Sequence, residues 1–192
     1  MPDAEKKLNI ASEFNAVSTE EWEAVIAKDL KGADYEKKLV WRTEEGFSAR
    51  PYYRREDLAE LEVQLGLRRE NRGWKICEKF QPSTDAVRAD LLHEAGATAV
   101  EELGYAVAAG VERLAKLTEM KSVDEAAGEI EFIFAVGPSY FMEIAKLRAA
   151  RLIWARALEA FGVKDTTAMR FVARTPLRNK SVYDRYTNLL RA

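Results

Sequence analysis

The stretch from Phe132 to Phe161, FIFAVGPSYFMEIAKLRAARLIWARALEAF, constrains the fold more than any other. Five consecutive apolar residues, Phe132 to Val136, have the length of a strand buried on both faces. Gly137-Pro138-Ser139 then supplies a sharp turn, with Ser139 placed to cap a helix. Along that helix the charges (Glu143, Lys146, Arg148, Arg151, Arg156, Glu159) fall at scattered angles, with Ile144, Leu147, Leu152, Trp154 and Leu158 between them. No side is wholly polar. The helix is therefore expected to be covered on more than one face, by its own domain and by something else.

Around this unit the pattern is mixed helix and strand. Residues 1 to 13 are polar and expected to be loosely held. Ser18 and Glu21 form a capping box for a helix whose face carries Trp22, Val25, Ile26 and Leu30, with Gly32 as its stop. Leu39 to Thr43 and Phe47 to Tyr53 read as extended pieces joined at Glu45-Gly46, and Pro51 makes the second an edge strand or an irregular arm. From Arg55 a short helix is suggested by Leu58, Leu61 and Leu65. The segment 1–70 is thus expected to be an arm with helices, and 71–192 a compact α/β domain.

In that second part, Trp74 to Phe80 alternates as a strand, and Gln81 to Asp85 reads as a loop capping a short helix through Leu92. Val100, Leu103, Val107, Val111, Leu114 and Leu117 give a long helix one core-facing stripe, in which Gly104 and Gly110 weaken it or admit a close neighbour. Ser122 and Glu125 form a second capping box. Gly162 stops the central helix, Met169 to Ala173 reads as a last strand, and Tyr183 to Arg191 as a final helix. Strand, helices, buried strand, helix, strand is a parallel α/β pattern.

Composition removes several function classes. Thirty Lys and Arg against 32 Asp and Glu give a net charge of −2 and no electrostatic case for nucleic acid or an anionic membrane. A single cysteine, Cys77, excludes an internal disulfide, and with one histidine it disfavours a Cys/His zinc site. No apolar run approaches the roughly 18 residues of a membrane span, and the charged N-terminus has no signal-peptide core, so a cytoplasmic protein is expected.

Few residue sets suggest chemistry. His93-Glu94-Ala95-Gly96 matches half of the D-x-H-x-x-G stretch by which cobalamin domains present histidine to cobalt. The position two before His93 is Leu91, and Asp90 is one residue too far, so the orienting carboxylate is missing and His93 reads as a structural or surface histidine. The Gly137-Pro138-Ser139 turn could bind an anion, yet Pro138 removes a donor and Glu129 and Glu131 lie close in sequence, so a bare turn is expected. Arg148, Arg151 and Arg156 are expected to pair with carboxylates such as Glu143 and Glu159. Trp41 and Arg42, with Tyr52, Tyr53 and Arg54, mix aromatics and arginines as protein interfaces do, and are the interface candidates. No catalytic, cofactor-binding or metal-binding residue is assigned.

Four longer stretches carry a resemblance: KDLKGADYEKKLVWRTEEGFSARPYY, HEAGATAVEELGYAVAAGVE, FIFAVGPSYFMEIAKLRAARLIWA and YDRYTNLLRA. Together they resemble the chains of methylmalonyl-CoA mutase, particularly the small, non-catalytic subunit of the heterodimeric enzymes. The resemblance implies an N-terminal arm wrapping a partner subunit, a (β/α)8 barrel and a cobalamin-binding domain, with adenosylcobalamin radicals interconverting methylmalonyl-CoA and succinyl-CoA. Against that pattern, a long stretch carrying several barrel strands is missing between about Gln81 and Ala89. The chain also stops before the barrel would close and has no cobalamin domain, which implies a shortened relative with a partial barrel.

The resemblance also implies what has changed. Asp90-Leu91 stand where the catalytic chain has Tyr-His against the substrate. Glu129 and Glu131 align with the Arg and Ser that contact CoA phosphates, and Arg174 with a glutamine after the last strand. Two carboxylates would repel a phosphate. The expected role is therefore structural, in assembly with a large catalytic subunit or a second copy of the chain, with no cofactor bound by this chain alone. The other reading is direct contribution to mutase turnover together with the large subunit.

Overall fold

A computed structural model describes residues 14–58, 76, 86–163 and 169–191. The expected strand at Trp74 to Phe80, Cys77 included and Ile76 excepted, and the loop at Gln81 to Asp85 lie outside those residues. The chain divides into two units, Met1–Gly66 and Leu67–Ala192.

In the first unit, α1 (Thr19–Asp29) starts at the expected capping box: the Ser18 hydroxyl accepts from the Glu21 N–H, and the Glu21 carboxylate accepts from the Ser18 N–H. It ends where Lys31 and Gly32 adopt positive φ, 49° and 87°, which glycine tolerates without a Cβ clash. A single turn, α2 (Tyr35–Lys38), is capped by Asp34. A hairpin of β1 (Trp41–Arg42) and β2 (Ser48–Ala49) pairs Trp41 with Ala49 and Arg42 with Ser48. The Thr43 N–H and hydroxyl both donate to the Phe47 carbonyl and close its turn. A 3-10 turn follows at Arg55–Leu58, so the described part of the helix expected there is one tight turn. Thr43 is the only buried residue among those described in this unit.

The second unit is built on a three-stranded parallel sheet, ordered β3 (Val87–Arg88), β4 (Glu131–Ala135), β5 (Arg170–Arg174). Val87 pairs with Phe132, and Glu131 to Ala135 run in register with Arg170 to Arg174. Its first described strand is thus the two-residue β3, which no alternation in the sequence announced.

Partners in register share a face of the sheet. One face carries Val87, Phe132, Phe134, Phe171 and Ala173; the other carries Arg88, Glu131, Ile133, Ala135, Arg170, Val172 and Arg174. The first of these faces holds the core. Phe132 meets Trp154 edge-on at 4.9 Å, and Phe134 meets Phe171 edge-on at 6.1 Å.

Over this core lie α4 (Ala99–Leu117) and α6 (Tyr140–Ala160), with α3 (Asp90–Ala95) and α5 (Val123–Glu129) beside them. The buried row of α4 is Glu102, Ala106, Gly110 and Leu114, whereas Val100 is exposed. Leu114 belongs to both this row and the expected apolar stripe, and Leu103, Val111 and Leu117 of the stripe also pack against the core, but the deepest line runs beside them and includes a carboxylate. At Gly110 a Cβ would lie 2.6 Å from Phe132 Cζ and 3.0 Å from Trp154 Cζ3, so only glycine admits that ring; Gly104 faces open space.

Other expectations are corrected. The short helix after the loop runs from Asp90 to Ala95, past Leu92, with no side-chain cap at its start. Ser139 holds the N-cap position of α6 but its side chain makes no capping hydrogen bond. The C-terminal segment forms a 3-10 turn at Tyr186–Leu190 rather than an α-helix, fastened by Asp184 and Asn188. The stop at Gly162 is as expected: its N–H reaches Glu159 and the Val163 N–H reaches Leu158, the paired bonds of a left-handed helix end. No helix among the described residues is long and apolar enough to cross a membrane.

Candidate functional site

Ligands of parallel α/β sheets gather outside the carboxyl ends of the strands. Here the end of the sheet is occupied by the protein's own ions. Arg88, the last residue of β3, donates from Nε to Asp90 Oδ1 at 2.7 Å and from Nη2 to Oδ2 at 2.8 Å. Arg174, the last residue of β5, donates from Nη1 to the same Oδ2 at 2.8 Å. Asp90 itself is 1% exposed, while the two arginine side chains are a third or more exposed. Burial would push the Asp90 carboxyl up; the hydrogen bonds from Arg88 and Arg174 overcome this and hold it below its ordinary value.

At the amino end of the same face Glu131 lies 3.8 Å from Arg170, whose guanidinium also donates to the Gly128 carbonyl. Glu129 is taken up by Lys121 at 2.6 Å. Leu91 is half-exposed beyond Asp90.

A second ionic cluster stands behind the end of β4. Lys146 Nζ donates to Glu102 Oε2 at 2.6 Å and to the Ala135 carbonyl at 2.7 Å, while Glu102 Oε1 accepts from the Ala135 N–H at 2.9 Å. Glu143 Oε2 lies 2.6 Å from the same ammonium but off the hydrogen-bond axis, a Coulombic contact with no hydrogen bond of its own. Glu102, Glu143 and Lys146 are all buried, so this cluster clamps α4 and α6 to the last residue of β4. Of the carboxylates expected beside the arginines of α6, Glu143 meets Lys146, and Arg151 lies over the Phe171 ring at 4.7 Å.

His93 closes the back of this cluster. Its Nδ1 lies 3.4 Å from Glu102 Oε2, and its ring edge is 3.2 Å from the point where a Cβ on Gly137 would sit. The imidazole is enclosed against the β4–α6 turn instead of standing clear for an axial metal position, so these residues do not fit the histidine that a corrin would need. Glu94 receives the Leu177 and Arg178 N–H groups, and Arg178 reaches back to the His93 carbonyl, pinning the chain after β5 onto α3. Among the described residues no group of three or more His, Cys, Asp or Glu converges to hold a metal ion.

The interface candidates lie in the first unit. Trp41 and Arg42 are exposed on the hairpin. Tyr52 packs on Trp22 at 5.9 Å and donates to Glu23, while the Tyr53 hydroxyl accepts from the Arg50 N–H and its ring lies under the Arg50 guanidinium. Arg54 points inward, donating to the Ser18 and Val17 carbonyls at 3.0 and 2.6 Å. Sequence reasoning singled out Asp90, Glu131 and Arg174 one at a time but missed that Asp90 and Arg174 meet. It also missed Glu102 and Lys146, 44 residues apart, whose types gave no local signal.

Fold and site together define an α/β domain whose strand ends, the usual place of chemistry, are closed by internal ion pairs. Residues 73–192 match the model of the methylmalonyl-CoA mutase family, and the chain belongs to that family. The methylmalonyl-CoA mutase small subunit of Porphyromonas gingivalis is 28% identical over 320 aligned positions, covering 98% of this chain and 52% of the relative. That of Streptomyces virginiae is 41% identical over 120, covering 61% and 20%, and the large subunit of the same organism is 46% identical over 79, covering 41% and 11%. The chain thus spans about half the length of the first relative and a fifth of the second. An alignment of 320 positions onto 192 residues also leaves many positions of the Porphyromonas gingivalis subunit without a counterpart here.

Proposed function

We propose that this chain is a non-catalytic, small-subunit-like component of a methylmalonyl-CoA mutase, acting in assembly with a large catalytic subunit and binding neither acyl-CoA nor adenosylcobalamin itself. The sheet is then a segment of a (β/α)8 barrel, and the first unit is an N-terminal docking arm. The observation that carries this reading is the Arg88–Asp90–Arg174 layer. At Asp90, which by the resemblance stands where catalytic chains contact substrate, a buried carboxylate is already neutralised by two guanidiniums. A charged thioester placed there would have to break three charge-assisted hydrogen bonds and leave Asp90 unpaired.

The arm supports the docking half of the proposal. Forty-five consecutive residues, 14–58, bury one threonine and no large apolar side chain, while Trp22, Val25, Trp41 and Phe47 are each about half-exposed. An open groove of about 450 Å³ beside α1, lined by Ile26, Leu30, Ala33 and Tyr35 among others, adds to that unburied surface. So little burial does not offset the cost of ordering the chain, and a partner surface would supply the rest. Isothermal titration tests the reading: succinyl-CoA and adenosylcobalamin give no heat of binding with this chain. Tight binding of either, or turnover by this chain alone, overturns it.

A further inference from the structure

The buried cluster behind β4 is arranged as a shell of oxygens around one nitrogen. Lys146 Nζ lies 2.6 Å from Glu102 Oε2 on α4, 2.6 Å from Glu143 Oε2 on α6 and 2.7 Å from the Ala135 carbonyl at the end of β4. Oxygens from three elements thus converge on a side chain that is 1% exposed. Two of them belong to carboxylates while the shell holds a single cation, and Glu143 Oε2 makes no hydrogen bond of its own. Buried carboxylates left short of positive charge and of donors are costly, so the shell favours a cation at its centre.

The shell is also held from outside. Glu102 Oε1 accepts from the Ala135 N–H at 2.9 Å, Ala135 is buried in the central strand of the sheet, and α4 is seated against β4 at Gly110. None of these supports involves Lys146, so they outlast its removal. Water reaches the cluster on the side of His93, whose Nδ1 lies 3.4 Å from Glu102 Oε2 and whose side chain is 13% exposed, more than that of Glu102, Glu143 or Lys146.

We infer that this shell is a cation-binding site which the chain fills with its own side chain, and that its ligand class is the primary alkylammonium ion. Removing the Lys146 side chain beyond Cβ leaves a slot three methylene groups long that ends at three oxygens, and propylammonium has that length and charge. A bare metal ion would leave the apolar stretch of the slot empty. The inference does not depend on the assembly role proposed above, and its test needs no large subunit.

The test is chemical rescue in the full chain. Lys146→Ala is titrated with propylammonium chloride at constant ionic strength, and urea unfolding is followed by circular dichroism. Propylammonium raises the urea midpoint of this variant by about 0.5 M near saturation, as a ligand that binds only the folded state does. The uncharged 1-propanol leaves the midpoint where it was. Neither the parent chain nor Lys116→Ala, which removes an exposed lysine paired with Glu112, responds to propylammonium. Should Lys146→Ala not fold unaided, the same titration is read as recovery of the helical signal. A second measurement needs no variant: in the parent chain the enclosed Lys146 ammonium gives its own 1H–15N signal at neutral pH, while exposed lysines exchange their protons with water too fast to be seen. No response of Lys146→Ala to propylammonium, an equal response to 1-propanol or in Lys116→Ala, or absence of the ammonium signal overturns the inference.

Discussion

Gly104 and Gly110 sit in the same helix, six residues apart, and the same change should stabilise at the first but not at the second. Alanine is favoured over glycine in a helix interior by about 0.8–1 kcal/mol, mostly through the unfolded chain, and both substitutions collect that gain. At Gly104 an added methyl meets nothing within 4 Å, so Gly104→Ala should stabilise by about that amount. At Gly110 the methyl would sit 2.6 Å from Phe132 Cζ and 2.7 Å from Cε1. The ring cannot yield cheaply, for Phe132 is fully buried, stacked 6.3 Å from Phe134 and edge-on to Trp154. Overpacking of a well-filled core costs about 1–3 kcal/mol, so Gly110→Ala should be neutral to destabilising by about 2 kcal/mol net. The helix gain cancels between the two variants, so their separation in urea unfolding reads the packing penalty directly. If both variants stabilise equally, α4 does not approach β4 as closely as the core requires and the reasoning fails.

Three further outcomes follow from the ionic clusters and the caps. Lys146→Met strands Glu102 and Glu143 without their cation, and should cost about 3–5 kcal/mol in chemical denaturation. Asp90 titrates below its ordinary value when folded, so its contribution to stability is fully present above the unfolded carboxylate pKa of about 3.9 and is lost as pH falls through the lower folded value. Asp90→Asn should therefore flatten the acid limb of stability against pH, and an unchanged limb would contradict the pairing. Ser18→Ala removes one half of the α1 capping box and should destabilise that helix by about 1 kcal/mol, read as faster amide hydrogen exchange across Glu21 to Ile26.

What could be read from the sequence was what is decided within a few residues. The capping boxes at Ser18–Glu21 and Ser122–Glu125 reported two helix starts, Gly162 reported a helix end, and the apolar run at Phe132 reported the buried strand. A third box, Thr98–Glu101, carries the same signature at the start of α4. What could not be read was decided across the fold. Glu102 looks like a solvent residue, and it is buried because Lys146 and the Ala135 N–H answer it from other elements. That is why the deepest row of α4 lies beside most of its apolar stripe and the charges on α6 look scattered. The strand β3 spans two residues, too few for alternation to register, and it forms because β4 pairs with it. Likewise Asp90 and Arg174, read separately as departures from a family pattern, are one ion pair 84 residues apart.

The central claim, an assembly role without chemistry of its own, is tested most directly by light scattering coupled to size exclusion, with this chain alone and mixed with a methylmalonyl-CoA mutase large subunit. A stoichiometric complex that forms without CoA ester or cobalamin is the predicted result. Two species eluting independently at every ratio would contradict it.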